Sequence, residues 1–211
     1  MRAGGKAVSV LLLLAGPAGA GGPTTVLALG DSLTQGYGLP AAEGFVPQLE
    51  AWLRNRGHDV NIVNGGVSGD TTAGGAARVD WSLTEEVDAM IVALGGNDML
   101  RGIDPEVSKR NLATILETAR ENAVDVLLVG MRAPGNFGPD YKTAFDGIYA
   151  RLAARYGTLH YKDFFTGLGT DDPATARAFF QPDGIHPNAD GVVRIVEAMG
   201  PAVVDLIDRA D

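Results

Sequence analysis

Four short stretches hold the residues of this chain best suited to chemistry. Gly30-Asp31-Ser32-Leu33 follows the apolar run Val26 to Leu29. A serine between an acid and an aliphatic residue, where a strand gives way to a helix, can be exposed as a nucleophile over helix-start N–H groups that favour negative charge. Ser and Asp after a strand are also ordinary helix caps, so both readings of Ser32 stay open on these residues alone. Asn64 to Thr72 carries three glycines with Ser68, Asp70 and Thr71. Glycine there lets backbone N–H groups point at an anion. A phosphate cradle lacks its Lys-Ser/Thr, which leaves an oxyanion donor at the Gly69 N–H or a turn with an N-cap at Asp70 or Thr71. Leu94-Gly95-Gly96-Asn97-Asp98 sets a carboxamide directly after a buried run. Asn97 could donate to a developing oxyanion without adding charge, or close an Asx turn. Asp98 reads as a loop-organising or capping residue.

The fourth stretch is Pro182-Asp183-Gly184-Ile185-His186-Pro187-Asn188. The chain has three histidines. His58 follows Arg56-Gly57 in an expected solvated turn, and His160 lies in a short apolar run where a packed core role is expected. His186 has Asp183 three residues before it. That spacing lets a carboxylate fold back on one ring nitrogen and leave the other as a base. A metal site is disfavoured, since no second His or Cys lies near and the carboxylates are not clustered.

Something must hold these stretches together. Apolar runs at Thr25–Leu29, Val60–Val63, Ala89–Leu94 and Val126–Met131, with a weaker one at Leu159–Tyr161, recur about every thirty residues. Most are continuously apolar, as strands buried on both faces of a parallel sheet are. Amphipathic helical segments lie between them. One carries Phe45, Leu49, Trp52 and Leu53, and a second follows Asp104-Pro105 with Leu112, Ile115, Leu116 and Ala119. Tyr141 to Tyr156 and Gly191 to Ile207 read the same way. The alternation predicts right-handed βαβ units in a three-layer α/β sandwich with about five parallel strands. The four chemical stretches then fall on the rim at the carboxyl ends of the strands, where such sheets bind ligands.

Composition narrows the function. An apolar content of 45% with 20% charged residues is that of a globular protein. Arg2 and Lys6, the run Ala7 to Ala15 and Ala18-Gly19-Ala20 predict a signal peptide over 1–20, ahead of a single domain over 21–211. The remainder keeps 15 basic against 26 acidic residues, a net charge of −11 with His neutral. Nucleic acid is therefore not an expected partner, and neither is an anionic membrane surface. With no cysteine, disulfides, thiolate catalysis and Cys-type zinc sites are excluded. No stable membrane insertion is expected, and export to the periplasm or medium is.

Taken in order, Gly30-Asp31-Ser32-Leu33, Gly69, Gly95-Gly96-Asn97-Asp98 and Asp183-Gly184-Ile185-His186-Pro187 resemble the blocks of the SGNH (GDSL-type) hydrolases. The region from Asn64 to Thr72, with Leu94 to Ile103 and Asn136-Phe137-Gly138, is most similar to the bacterial periplasmic acyl-CoA thioesterase, arylesterase and lysophospholipase group. The resemblance implies a flavodoxin-like fold and a serine esterase or thioesterase with no metal or cofactor. Ser32 would be nucleophile, His186 its base and Asp183 the residue that orients it. The N–H groups of Ser32 and Gly69 and the Asn97 side chain would hold the oxyanion. Small acyl esters or lipids would be the substrates of a monomer. Arg132-Ala133-Pro134-Gly135 and Asn64-Gly65-Gly66-Val67 depart from that group's pattern in loops expected to line the acyl groove. A carbohydrate deacetylase on the same scaffold and a non-catalytic exported binding protein are the alternatives.

Overall fold

The computed structural model describes Met1 and residues 22–169 and 176–210. The expected signal peptide over 1–20 thus lies almost wholly outside the described residues. Five parallel strands form one sheet: β1 (Thr24–Gly30), β2 (Val60–Gly66), β3 (Ala89–Ala93), β4 (Asp125–Val129) and β5 (Leu159–Tyr161), in the order β2-β1-β3-β4-β5. All of Ala89 to Ala93 is buried in β3, and Val26 to Leu29 in β1, which accounts for their unbroken apolar runs. At one edge, β2 alternates: Val60 and Ile62 are buried, Asn61 and Val63 exposed.

Around the sheet run α1 (Ser32–Gln35), α2 (Phe45–Arg54), α3 (Thr72–Ser82), α4 (Gly96–Leu100), α5 (Pro105–Glu121), α6 (Pro139–Asp146), α7 (Ile148–Tyr156) and α8 (Ala189–Ala210). The step from β1 to β2 runs opposite to the later steps. Right-handed crossovers therefore put α2 on one face and α3, α5 and α7 on the other, with α8 returning to pack on α2. Buried positions follow the helical period: Phe45, Val46, Leu49 and Leu53 on α2, and Leu112, Ile115, Leu116 and Ala119 on α5. Truncating one such leucine to alanine costs about 2–5 kcal/mol. The start of α5 is where the sequence places it: Asp104 accepts from Glu106 N at 2.8 Å and Pro105 takes the first helical position. Among the described residues no helix is long and apolar enough to cross a membrane.

Three expectations need correction. Tyr141 to Tyr156 is not one helix but α6 and α7, divided at Gly147, the poorest ordinary helix former at that point. Asn64-Gly65-Gly66 is not loop but the end of β2, where Gly65 and Gly66 stand in register with Leu29 and Gly30. His160 is not in the core; it is an exposed residue of β5, the other edge strand.

Behind the rim, Tyr149 braces the turn that leaves β3. It is fully buried, and its hydroxyl donates to the Leu94 carbonyl at 2.9 Å. Burial holds its ionisation well above the usual phenol range, so it stays a neutral donor. The next residue, Gly95, has φ +117, and a Cβ there would lie 2.1 Å from the Tyr149 hydroxyl. Tyr149→Phe strands the buried carbonyl and is expected to cost about 1–3 kcal/mol. Gly95→Ala, strained and obstructed together, is expected to cost more. Urea unfolding of both variants checks the order.

Candidate active site

The first chemical stretch is built by a cap. Asp31 sits just before α1, and its Oδ1 accepts from Leu33 N at 3.0 Å. Capping thus falls to Asp31, and Ser32 becomes the first helical residue with its hydroxyl free for another partner. That partner is His186, whose Nε2 lies 2.9 Å from Ser32 Oγ. His186 Nδ1 stands 2.7 Å from Asp183 Oδ2. An ionised carboxylate only accepts, so Nδ1 carries the proton and Nε2 is left to accept from the serine. Asp183 Oδ1 also accepts from the N–H groups of Ile185 and His186, at 2.9 and 3.0 Å. The hydrogen bond from the imidazole, and then those two amides, hold the Asp183 carboxyl down to about 2.

The loop carrying His186 is tied at several points. Gln181 N donates to the His186 carbonyl at 2.7 Å, and Asn188 Nδ2 donates to Ala178 O at 2.9 Å. Gln181 Nε2 reaches both Tyr37 O at 2.8 Å and Pro187 O at 3.0 Å, joining this loop to the residues after α1. The Tyr37 ring lies 4.6 Å from the imidazole ring, centroid to centroid. Neither Tyr37 nor Gln181 stands out in the sequence. Both are common residue types whose partners lie far along the chain.

Asn97 is on α4 rather than in an Asx turn. Its Nδ2 donates to the Asp70 carbonyl at 2.9 Å and stands 3.4 Å from Asp31 Oδ2. One amide proton is well held and the other only loosely. Gly69, with φ +81, precedes Asp70, and its carbonyl accepts from Arg101 Nη2 at 3.0 Å. Thr71, not Asp70, caps α3. Among the described residues no acceptor takes up the N–H of Ser32 or of Gly69. Ser32, Asn97 and His186 line one cavity of about 420 Å³, whose other walls include Met99, Met131, Phe165, Phe180 and Ile185. Gly69 is not in that lining. Arg132 and Pro134, from the divergent loop after β4, are. Asp98 is buried behind the site, accepting from Thr72 N at 2.9 Å and from Ser108 Oγ at 2.9 Å, so it joins α3, α4 and α5. Trp52 and Trp81 lie on α2 and α3, outside the cavity wall.

Asp31 is nearly inaccessible, and burial pushes its carboxyl up to about 6, opposed by the Leu33 amide, His186 and Asn97. The folded protein therefore holds this proton more tightly than the unfolded chain. The resulting stability is full below about 3.8 and lost as pH rises through about 6. A carboxyl raised by about two units corresponds to up to about 3 kcal/mol. Asp31→Asn is expected to flatten the fall in stability between pH 4 and pH 6.5, as measured by urea unfolding across that range.

Comparison with known proteins covers the span that holds all four chemical stretches. The pattern of the GDSL-like lipase/acylhydrolase family matches residues 28–193. Esterase TesA of Pseudomonas aeruginosa is 39% identical over 184 residues, which cover 87% of this chain and 89% of that protein. Thioesterase 1/protease 1/lysophospholipase L1 of Escherichia coli K12 is 33% identical, with 88% and 86% covered. The crystal structure of AlinE4, a SGNH-hydrolase family esterase, matches at a TM-score of 0.72 and 41% identity. That match covers 89% of this chain and 98% of AlinE4.

Proposed function

Because the chain belongs to the GDSL-like lipase/acylhydrolase family, we propose that it hydrolyses acyl esters through an acyl-enzyme on Ser32. It is an ester-hydrolysing serine hydrolase, and its relatives carry the names esterase, thioesterase and lysophospholipase. The observation that carries the assignment is the unbroken relay from Ser32 Oγ to His186 to Asp183, at 2.9 and 2.7 Å, at the wall of an apolar cavity.

In this reading Ser32 Oγ bonds to the carbonyl carbon while its proton passes to His186 Nε2. Asp183 keeps the imidazole in the tautomer that can take it, and its low carboxyl keeps it anionic while the imidazolium exists. The oxyanion is held by the N–H groups of Ser32 and Gly69 and by the loosely held amide proton of Asn97. The bond to the leaving group then breaks, and Nε2 returns the proton to the departing alkoxide or thiolate. Water repeats the sequence on the acyl-enzyme: His186 removes its proton, the Ser32 ester bond breaks, and Oγ is reprotonated. No step draws on a metal or cofactor.

The walls formed by Met99, Met131, Phe165, Phe180 and Ile185 suit an acyl or aryl group, so aryl esters, lysophospholipids and acyl thioesters form the substrate class. The basic start, apolar run and Ala18-Gly19-Ala20 of the N-terminus support export as a single domain to the periplasm or medium, and we take the working form to be a monomer.

Ser32→Ala and His186→Ala are each expected to lower p-nitrophenyl butyrate turnover by about 10⁴-fold or more while the fold is kept. Near-native turnover in a folded Ser32→Ala protein overturns the assignment. Asn97→Ala is expected to lower kcat by about 10²–10³-fold; a change confined to KM assigns Asn97 to substrate positioning instead. A matched series of oxygen esters and thioesters of rising chain length identifies the preferred acyl group.

A further inference from the structure

One nearly buried ion pair lies outside the reacting groups and is attached to all of the segments that would hold the oxyanion. Arg78, on α3, places Nε 2.8 Å from Asp70 Oδ2 and Nη2 2.8 Å from the Gly30 carbonyl. The two side chains are 11% and 14% exposed. Gly30 is the last residue of β1 and precedes the Asp31-Ser32 turn. Its carbonyl also accepts from Val67 N at 3.1 Å, which starts the loop to Gly69. Asp70 follows Gly69, and its own carbonyl accepts the Asn97 amide at 2.9 Å.

We propose that Arg78 is a positioning residue for the oxyanion site. It fixes through Gly30 and Asp70 the relative placement of the Ser32, Gly69 and Asn97 donors. The inference rests on the donor assignment made above. A planar guanidinium presents diverging N–H groups in a rigid fork and can span a carboxylate and a carbonyl together; a lysine ammonium cannot hold both in fixed directions.

The local sequence is arranged for this pair. Gly74 and Arg78 lie four apart on one face of α3, and Asp70, just ahead of the Thr71 cap, lays its carboxylate against that face. A Cβ on Gly74 would fall 1.7 Å from Asp70 Oδ1, so the glycine leaves the room the carboxylate occupies. Stability alone does not call for such an arrangement, because a nearly buried ion pair is often matched by apolar residues of the same volume. What the pair supplies is direction. Oxyanion donors act by being placed before charge develops, and a small displacement costs rate without costing ground-state binding.

The test measures kcat and KM with p-nitrophenyl butyrate for Arg78→Lys, Asp70→Asn and Gly74→Ala. Alongside these it takes the affinity for an alkyl trifluoromethyl ketone, which forms an oxyanion adduct, and for butyrate, which does not. Arg78→Lys is expected to lower kcat about tenfold and leave KM within about twofold. Ketone affinity should fall by the same factor and butyrate affinity should not. Gly74→Ala adds a better helix former yet should lose kcat as Asp70→Asn does, which separates positioning from simple loss of fold. Unchanged kcat and ketone affinity in both Arg78→Lys and Asp70→Asn overturn the proposal. So does a loss that follows only the folded fraction seen in thermal melts. Ser32→Ala run in parallel keeps the failures apart, since residual turnover there overturns the nucleophile assignment itself.

Discussion

The direction of chain crossover reverses at β1, and the chemistry of the molecule stands on the opening this leaves. Because α2 departs to one face and α3 and α5 to the other, a crevice opens at the carboxyl ends of β1 and β3. Ser32 follows the first of these strands, and Asn97 follows the third closely. The central strands are buried on both sides, so their ends cannot drift relative to each other without disturbing the core. A rigid pair of strand ends is a suitable mount for groups that must agree to within fractions of an ångström.

On that mount, polar contacts compete for few donors. Asp31 spends one oxygen on the Leu33 amide and faces Asn97 with the other. In doing so it frees Ser32 from capping and places a buried carboxyl near His186. Asn97 gives its better hydrogen bond to the Asp70 carbonyl, which locks the plane of the carboxamide before any substrate arrives. Ordering paid during folding is not paid again during reaction. The side chains of Asp31 and Asn97 thus stay fixed beside an apolar cavity, each held by a backbone group that is itself anchored.

The residues legible in the sequence were those whose partners are local or whose types are chemically rare. Asp183 and His186 are three apart, and the glycines just ahead of Ser32 and Asn97 mark turns after apolar runs. The strands were legible because burial on both faces leaves no ambiguity of period. Where the sequence misled, the reasons differ. A glycine within an apolar helical pattern broke one expected helix into α6 and α7. The register with β1 drew Asn64 to Gly66 into a strand despite two glycines. His160 looked like core because its short run is apolar on both sides, yet an edge strand has one open flank. The reach of Arg78 to Gly30 and of Gln181 to Tyr37 was not legible, since these contacts join positions 48 and 144 residues apart.

The hydrogen bond between Ser32 and His186 spans 154 positions of the chain. In the proposed mechanism the nucleophile comes just after the first strand, and its base sits just ahead of the last helix. During synthesis, then, the serine is exposed for most of the time the chain takes to emerge, with no imidazole beside it to draw off its proton. In the proposed mechanism the relay is complete only once the C-terminal segment packs onto the sheet. A chain without that segment lacks the proposed base for Ser32, so in this mechanism reactivity belongs to the finished fold.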